Sequence, residues 1–295
     1  MTAAAGVVGV ADGRPDCPVC IRPTAAACVW HGSPGCACVV RCARCGHRFR
    51  PAPATAWVDA SVYDADYHAH RKTAGRPGFA EKLRTAHLHL DLLAAARGGR
   101  LGGARLLDVG CATGDFVVEA RERGVVAHGV DVAADAVAVA RSRNLPVEQG
   151  RVEEVAGGPF DVVHASHVLE HVPDVRAFVR AVVRLLVPGG SVVLEVPNEF
   201  DEAITVLRRA GGRRAPARLD APHLHYFTTT SLRHLLVGAG LRVRRVVTYS
   251  HLRGVEPALG AVARFRYVGV PNLVLRVADR VGYGRNLVVV AERER

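Results

Sequence analysis

Short apolar segments alternate with helical segments from residue 105 to the end of the chain, and this alternation limits the possible folds more than any other feature. The apolar segments contain few polar positions, which is typical of strands that are buried on both faces of a sheet. Strands that alternate with helices pair in parallel, and the helices cover both faces of the sheet. The sequence therefore predicts an α/β fold with a seven-stranded, mostly parallel sheet. The predicted strands are 105–109, 125–130, one near 147, 160–165, 191–196, 241–249 and 286–291, and the predicted helices are 77–97, 115–123, 133–143, 175–186 and 230–239.

The first predicted strand ends in a turn that contains Gly110 and Gly114. Glycine allows the backbone to turn sharply and to approach a ligand closely. Such a turn is common in parallel-sheet proteins and is a weak indication of a site by itself. Asp131 ends the next strand, about twenty residues further on, where a carboxylate can accept hydrogen bonds from both hydroxyls of a ribose. The turn and the acid together predict a ligand site at this edge of the sheet.

Four further segments follow in order, at 149–154, 160–163, 169–174 and 186–190. Because these segments follow the glycine turn and Asp131 in this order, the stretch from about 104 to 245 resembles the class I S-adenosylmethionine-dependent methyltransferases, which have a Rossmann-like sheet. It is most similar to the small-molecule branch that includes the ubiquinone-type and the sugar or natural-product enzymes. A dinucleotide site fits less well, because Gly110-x-x-x-Gly114 is not the Gly-x-Gly-x-x-Gly pattern and the sulfonium cofactor has no pyrophosphate. The resemblance implies methyl transfer to a small molecule such as a sugar, an antibiotic intermediate or another secondary metabolite.

The resemblance also implies which residues hold S-adenosylmethionine. The methionine end would lie on the turn, the ribose on Asp131, the adenine near Val152, and the sulfonium above the end of the fourth strand. Family members usually have glycine where this chain has Ala112, and an acid is common where it has Arg151. The implied cofactor residues are Asp108, Gly110, Cys111, Ala112, Gly114, Asp131, Val132, Arg151, Val152 and Ala165.

Seven of the eight cysteines lie near the N-terminus, and four of them form two Cys-x-x-Cys pairs. Each pair can direct two thiolates at a common centre, and two such turns supply the four ligands of a tetrahedral zinc ion. Four thiolates leave no open position on the metal, which favours a structural role. The segment also resembles the zinc ribbon that precedes the catalytic domain in a subset of bacterial methyltransferases. The predicted ligands are Cys17, Cys20, Cys42 and Cys45. The remaining thiols, Cys28, Cys36 and Cys38, are expected on the surface or in packing, although Cys36 or Cys38 could replace a ligand.

Three histidines are candidates for a general base, which is needed only if the acceptor must lose a proton. His167 and His171 follow the fourth strand, close to where the methyl group is expected. His225 lies after the fifth strand, in the segment where the family builds its acceptor pocket. The alternatives remain open: His171 can brace its turn through hydrogen bonds, and His225 can form a pocket wall or cap a helix.

The chain divides into a zinc-ribbon module at 1–56, a Tyr- and His-rich linker with a lid helix at 57–100, and a methyltransferase domain at 101–295. The formal net charge of +11 is scattered over arginines, so we expect no nucleic-acid partner. No apolar run approaches the length of roughly 18 residues that crosses a membrane. A cytoplasmic enzyme with reduced thiols is expected. A ribosomal RNA methyltransferase with a zinc site, or a non-catalytic cofactor-binding module, remains as an alternative.

Overall fold

The computed structural model describes residues 10–11, 14–21, 27–30, 39–51, 79–212, 223–250 and 277–295. The chain forms two compact units. The ribbon unit contains Met1–Thr55, Val196–His234 and Val246–Val288, and the sheet unit contains Ala56–Glu195, Leu235–Arg245 and Val289–Arg295. The linker segment 57–78, Cys36, Cys38 and the side chain of Cys28 lie outside the described residues.

The strands and helices are numbered in chain order. The strands are β1 Val10–Ala11, β2 Arg14–Pro15, β3 Ala27–Trp30, β4 Val39–Arg41, β5 Arg48–Phe49, β6 Arg105–Val109, β7 Val126–Asp131, β8 Val147–Gln149, β9 Phe160–Ser166, β10 Leu186–Pro197, β11 His225–Tyr226, β12 Leu241–Tyr249 and β13 Asn286–Arg293. The helices are α1 Phe79–Ala96, α2 Asp115–Glu122, α3 Ala134–Ser142, α4 Val175–Leu185, α5 Ala203–Ala210 and α6 Thr229–Gly238.

Seven strands form one sheet in the order β8-β7-β6-β9-β10-β13-β12. The chain enters at β6, continues outward through β7 and β8, and then returns to β9 on the other side of β6. The pairs β6–β7, β7–β8, β6–β9 and β9–β10 are all parallel. Ligands of doubly wound sheets bind at the carboxyl ends of the strands where the strand order reverses, which here is between β6 and β9.

Burial explains why these segments form strands and helices. Four of the five residues of β6 are buried, and β10 has a continuous buried stretch. Helix α4 buries Phe178, Val179 and Val182 in the core. Asp174 caps its first turn, because the Asp174 carboxylate accepts hydrogen bonds from the amides of Arg176 and Ala177. Within the described ranges, no helix is both long enough and apolar enough to cross a bilayer.

The predicted α/β fold with a seven-stranded sheet is confirmed, and β6 and β12 have the predicted bounds. The sequence analysis did not predict β1 to β5, α5 or β11, and it started β10 five residues late. Strand β11 has two residues, and its pairing partner β5 lies far away in the sequence. A segment this short has no periodicity of its own, so only its partner makes it a strand.

The ribbon unit contains a second sheet in the order β11-β5-β4-β3. Its described pairings are antiparallel, and His225 pairs with Phe49 and Tyr226 with Arg48. Arg50 extends this contact, because its amide donates to the carbonyl of Leu224 at 2.9 Å. The cysteine-rich segment and the chain before α6 therefore share one sheet.

Candidate functional site

The turn after β6 has three residues in the left-handed backbone region. Gly110, Ala112 and Gly114 have φ angles of 71°, 48° and 81°. A Cβ atom on Gly110 would overlap the side chain of Val168, and one on Gly114 would overlap Leu145. Only glycine fits these two positions, because both the backbone angle and the space exclude a side chain. The turn therefore brings bare backbone to the carboxyl end of β6.

Asp131 holds this turn in place from the end of β7. Its Oδ2 accepts a hydrogen bond from the amide of Ala112 at 2.7 Å, and its Oδ1 accepts one from the amide of Ala133 at 2.9 Å. Hydrogen bonds to a charged acceptor are among the stronger ones in proteins. Each carboxylate oxygen keeps a second lone pair, so the same acid can still accept hydrogen bonds from a ligand.

The remaining predicted cofactor residues differ in burial and in the contacts that their side chains make. Asp108 and Cys111 are buried; the Asp108 carboxylate lies 2.7 Å from His164, and the Cys111 side chain packs against Gly129. Val132 is an apolar residue with 44% of its surface exposed directly after Asp131. The residues Arg151, Val152 and Ala165 complete the set: the first is exposed and the other two are buried.

A cluster of charges at the start of α2 was not predicted. The carboxylate of Asp115 forms ion pairs with Lys82 of α1 and with Arg143, whose Nη1 lies 2.7 Å from Asp115 Oδ1. Burial alone would raise the pKa of Asp115, but the two cations outweigh burial and lower it. The cluster ties α1 and the residue after α3 to the beginning of the helix that follows the turn.

A row of buried acids and imidazoles starts beneath the turn. His164 Nδ1 lies 2.7 Å from Asp108 Oδ1, and His164 Nε2 lies 2.9 Å from His89 Nδ1. His89 Nε2 in turn faces Glu195 Oε2 at 3.6 Å. The ring of Phe116 stacks on His164 with the two centroids 3.7 Å apart. The row crosses from β6 through β9 and α1 to β10, and the sequence did not predict it.

His167 continues this row at the carboxyl end of β9. Its Nδ1 lies 3.2 Å from Glu170 Oε1, and its Nε2 lies 3.5 Å from Glu195 Oε1. Partial burial alone would lower the pKa of His167, but the two carboxylates raise it to about 10. His167 is therefore protonated at neutral pH, which argues against the predicted role as a base.

His171 approaches the same carboxylate oxygen as His167, with its Nε2 3.6 Å from Glu170 Oε1. Its side chain is 16% exposed, whereas that of Glu170 is almost completely buried. A histidine beside a carboxylate is the arrangement that general bases use in many enzymes. His171 Nδ1 is buried, which suits the brace interpretation; the base interpretation requires that the acceptor reach this nitrogen.

His225 belongs to the ribbon unit and is buried there. Its Nδ1 lies 3.2 Å from His47 Nε2, and both rings lie near Phe227. His223, two residues earlier, bonds to Glu199 at 2.9 Å instead. This packing supports a wall or brace role for His225 more than the predicted role as a base.

The four predicted zinc ligands meet at one point of the ribbon unit. Their sulfur atoms lie within 4.8 Å of one another, with 3.6 Å between Cys17 and Cys45 and 3.7 Å between Cys20 and Cys42. A tetrahedral zinc ion with bonds of about 2.3 Å would separate its sulfurs by about 3.8 Å. The contact with Cys17 lowers the pKa of Cys45 to about 5, so one thiolate is already favoured. The residues fit a tetrahedral metal ion.

Comparisons with known proteins agree with this geometry. Residues 78–246, more than half of the chain, match the family described as a methyltransferase domain. The ubiquinone biosynthesis O-methyltransferase of Alkalilimnicola ehrlichii is 36% identical over 160 residues, which cover 50% of this chain and 64% of that protein. The protein of the same name from Sodalis glossinidius is 38% identical over 125 residues, which cover 39% of this chain and 50% of the relative. The chain thus spans less than two thirds of the length of these curated relatives.

A solved structure shows the same fold. Magnesium protoporphyrin IX methyltransferase from Synechocystis PCC 6803, with bound S-adenosylmethionine, has a TM-score of 0.51 and 16% sequence identity, covering 80% of this chain and 95% of its own. At this identity the likeness concerns the fold alone. Together with the matched family, it shows that the chain belongs to the class I S-adenosylmethionine-dependent methyltransferases.

Proposed function

We propose that this protein transfers a methyl group from S-adenosylmethionine to a small-molecule acceptor by in-line displacement. The turn from Gly110 to Gly114, held by Asp131 at the point where the strand order reverses, is the observation that carries the proposal. Bound S-adenosylmethionine supplies a methyl group that its sulfonium has already activated. The work left to the protein is positioning, which can contribute roughly 7–11 kcal/mol to lowering the barrier.

The residues around the turn divide this work. The bare backbone at Gly110 and Gly114 leaves room for the methionine end, and the spare lone pairs of Asp131 suit the two ribose hydroxyls. The exposed side chain of Val132 suits the apolar face of the nucleoside. The small side chain of Ala165 at the end of β9 leaves space for the sulfonium. Each of these assignments is a proposal that binding measurements can test.

His171 is our proposed base where the acceptor is a hydroxyl. Its Nε2 faces the buried carboxylate of Glu170, which makes Nδ1 the nitrogen that carries the lone pair. His171 Nδ1 is buried in this structure, so a local movement would have to bring the acceptor hydroxyl to it. The acceptor proton would then pass to Nδ1, and the methyl–sulfur bond of bound S-adenosylmethionine would break to leave a neutral thioether. His167 is already protonated and His225 is packed against His47, so neither is our choice as base.

A hydroxyl of a small molecule is the acceptor that the relatives support. Two of them are named ubiquinone biosynthesis O-methyltransferase, a name that states methylation of an oxygen by those proteins. Within that class we propose a metabolite such as a sugar, an antibiotic intermediate or another product of secondary metabolism. The cysteine-rich module suits a reducing compartment, and we propose the cytoplasm.

Zinc is the proposed structural metal of the ribbon unit. Four cysteine thiolates satisfy a tetrahedral zinc ion completely, which leaves no position for a substrate. The described strands of this module are only two to four residues long, so the metal would supply much of its folding free energy. The ion would hold the two Cys-x-x-Cys turns together.

Calorimetry and a transfer assay test the proposed function. The full chain should bind S-adenosylmethionine and should pass tritium from its methyl group to at least one compound in a panel of phenols, catechols and nucleotide sugars. A protein that does not bind the cofactor would refute the proposal. Binding without transfer to any acceptor would favour a non-catalytic module. Labelling of RNA alone, with steeply salt-dependent binding, would favour a nucleic-acid enzyme.

A further inference from the structure

The sheet unit holds three carboxylates and three imidazoles that alternate almost regularly and that we call the acid–imidazole row. It runs through Asp108, His164, His89, Glu195, His167 and Glu170. Five of these side chains are nearly inaccessible to solvent, and only that of His167 is substantially exposed, at 41%. Unpaired buried charges are costly, so a row of this kind needs a function or a compensating arrangement of charge.

The ring of His167 lies between two acceptors. Glu170 Oε1 faces its Nδ1 at 3.2 Å, and Glu195 Oε1 faces its Nε2 at 3.5 Å. A neutral imidazole has one N–H, and its other nitrogen would direct a lone pair at a carboxylate. Only the imidazolium satisfies both contacts. The backbone reinforces this position, since the amide of His167 donates to the carbonyl of Glu195 at 3.0 Å.

We propose that His167 is a permanent imidazolium that positions Glu170 against His171, and that Glu195, His89 and His164 hold His167 in that state. The inference rests on the proposed function in one respect, which is that His171 serves as the base. The positive charge of His167 stabilises a negative charge on the buried carboxylate of Glu170. A negative charge on Glu170 in turn favours a proton on His171 Nε2, which lies 3.6 Å from Glu170 Oε1. His167 is a positioning residue in this scheme.

Glu195 is the central link of the row. Burial alone would raise its pKa, but the charge of His167, the proximity of His89 and a hydrogen bond from the hydroxyl of Ser166 hold its pKa well below the usual range. Glu195 is therefore an anion throughout the physiological range. Water screens part of its attraction for His167, because the His167 side chain is partly exposed.

His89 and His164 continue the row of hydrogen-bonded side chains from Glu195 to Asp108 on β6. The negative charge of Glu195 favours a proton on His89 Nε2, which leaves Nδ1 to accept from His164 Nε2 at 2.9 Å. His164 Nδ1 and Asp108 then share one further proton across 2.7 Å. Burial lowers the pKa of His89 to about 4, so this ring stays neutral and keeps its tautomer. The row thus connects the strand of the cofactor turn with the proposed base.

Nitrogen NMR of the full-length protein, labelled with ¹⁵N-histidine, tests the proposal without an acceptor. The ring signals of His167, assigned with His167→Gln, should show both nitrogens protonated up to about pH 9, with a midpoint near 10. Glu195→Gln keeps the shape and removes the charge, so the proton affinity of His167 should fall by about tenfold or more. Glu170→Gln should lower it as well and should release the tautomer preference of His171.

A matched control uses an exposed pair of the same type. His87 Nε2 lies 2.7 Å from Glu119 Oε2, and the His87 side chain is 51% exposed. Glu119→Gln removes the carboxylate of this pair and should leave the titration of His167 unaltered. Circular dichroism and S-adenosylmethionine calorimetry establish that each variant is folded.

Two results would overturn the proposal. One is a wild-type His167 that titrates near the ordinary value of about 6.5. The other is a folded Glu195→Gln protein with the wild-type midpoint. If that variant does not fold, the wild-type titration and Glu170→Gln decide the matter. A wild-type protein that fails to bind S-adenosylmethionine would refute the proposed function, while the His167 titration would still report on the row.

Discussion

Replacing Asp131 with asparagine perturbs the turn and the proposed ribose contact at the same time. Asp131 is 9% exposed, and its two oxygens accept the amides of Ala112 and Ala133 at 2.7 and 2.9 Å. Asparagine retains one carbonyl oxygen, so its amide nitrogen must face one of the two donors. One hydrogen bond to a charged acceptor is lost, and the other becomes a neutral one.

The expected loss has two separable parts. A hydrogen bond to a charged group contributes about 1.5–3 kcal/mol, so Asp131→Asn should lower the free energy of unfolding by about that amount. The variant also loses the negative charge that would accept the ribose hydroxyls. A loss of about 1–3 kcal/mol there weakens S-adenosylmethionine binding by roughly 5- to 150-fold.

Calorimetry with S-adenosylmethionine, at a temperature where circular dichroism shows both proteins folded, measures the second part. Asp135→Asn is the matched control, because Asp135 is an exposed acid in the first turn of α3. The control should bind the cofactor like the wild type. The reasoning is refuted if folded Asp131→Asn protein binds within about twofold of the wild type.

Four other changes have definite expected outcomes. Ala112→Gly should raise the free energy of unfolding by about 1 kcal/mol, since it relieves a left-handed alanine with φ of 48°, and lower stability in denaturant would contradict this. Lys82→Met should lower the free energy of unfolding by about 1 kcal/mol at pH 7. Because folding lowers the pKa of Asp115, its ion pair with Lys82 stabilises the fold at pH values above the ordinary pKa of 3.8. The difference in unfolding free energy between Lys82→Met and the wild type should therefore vanish only below about pH 4, which urea titrations at several pH values measure. Metal analysis of protein purified without chelator should find one zinc per chain, and chelation should lower the thermal midpoint; absence of zinc would remove the metal from the proposal. His171→Gln should slow methyl transfer to a hydroxyl by about 10²–10⁴-fold, whereas a rate within threefold of wild type, by radiolabel transfer, would leave His171 as a brace.

Local spacing in the sequence was enough to predict the framework of the protein. The period of apolar residues identified β6 and β12 with their observed bounds, and the alternation of strands and helices led to the seven-stranded sheet. The two Cys-x-x-Cys pairs predicted a cluster of sulfurs, which the structure forms. Such patterns are readable because a strand, a turn and a Cys-x-x-Cys knuckle each depend on neighbours within a few residues.

The tertiary structure alone decided which distant side chains meet. His89 and His164 are 75 positions apart, and His47 and His225 are 178 apart. No periodicity relates such residues, because their contact depends on which strands become neighbours and which side chains share one face of a sheet. The raised pKa of His167 follows in part from the same cause: Glu170 is its neighbour in the sequence, but Glu195 approaches it from β10 only in the folded chain.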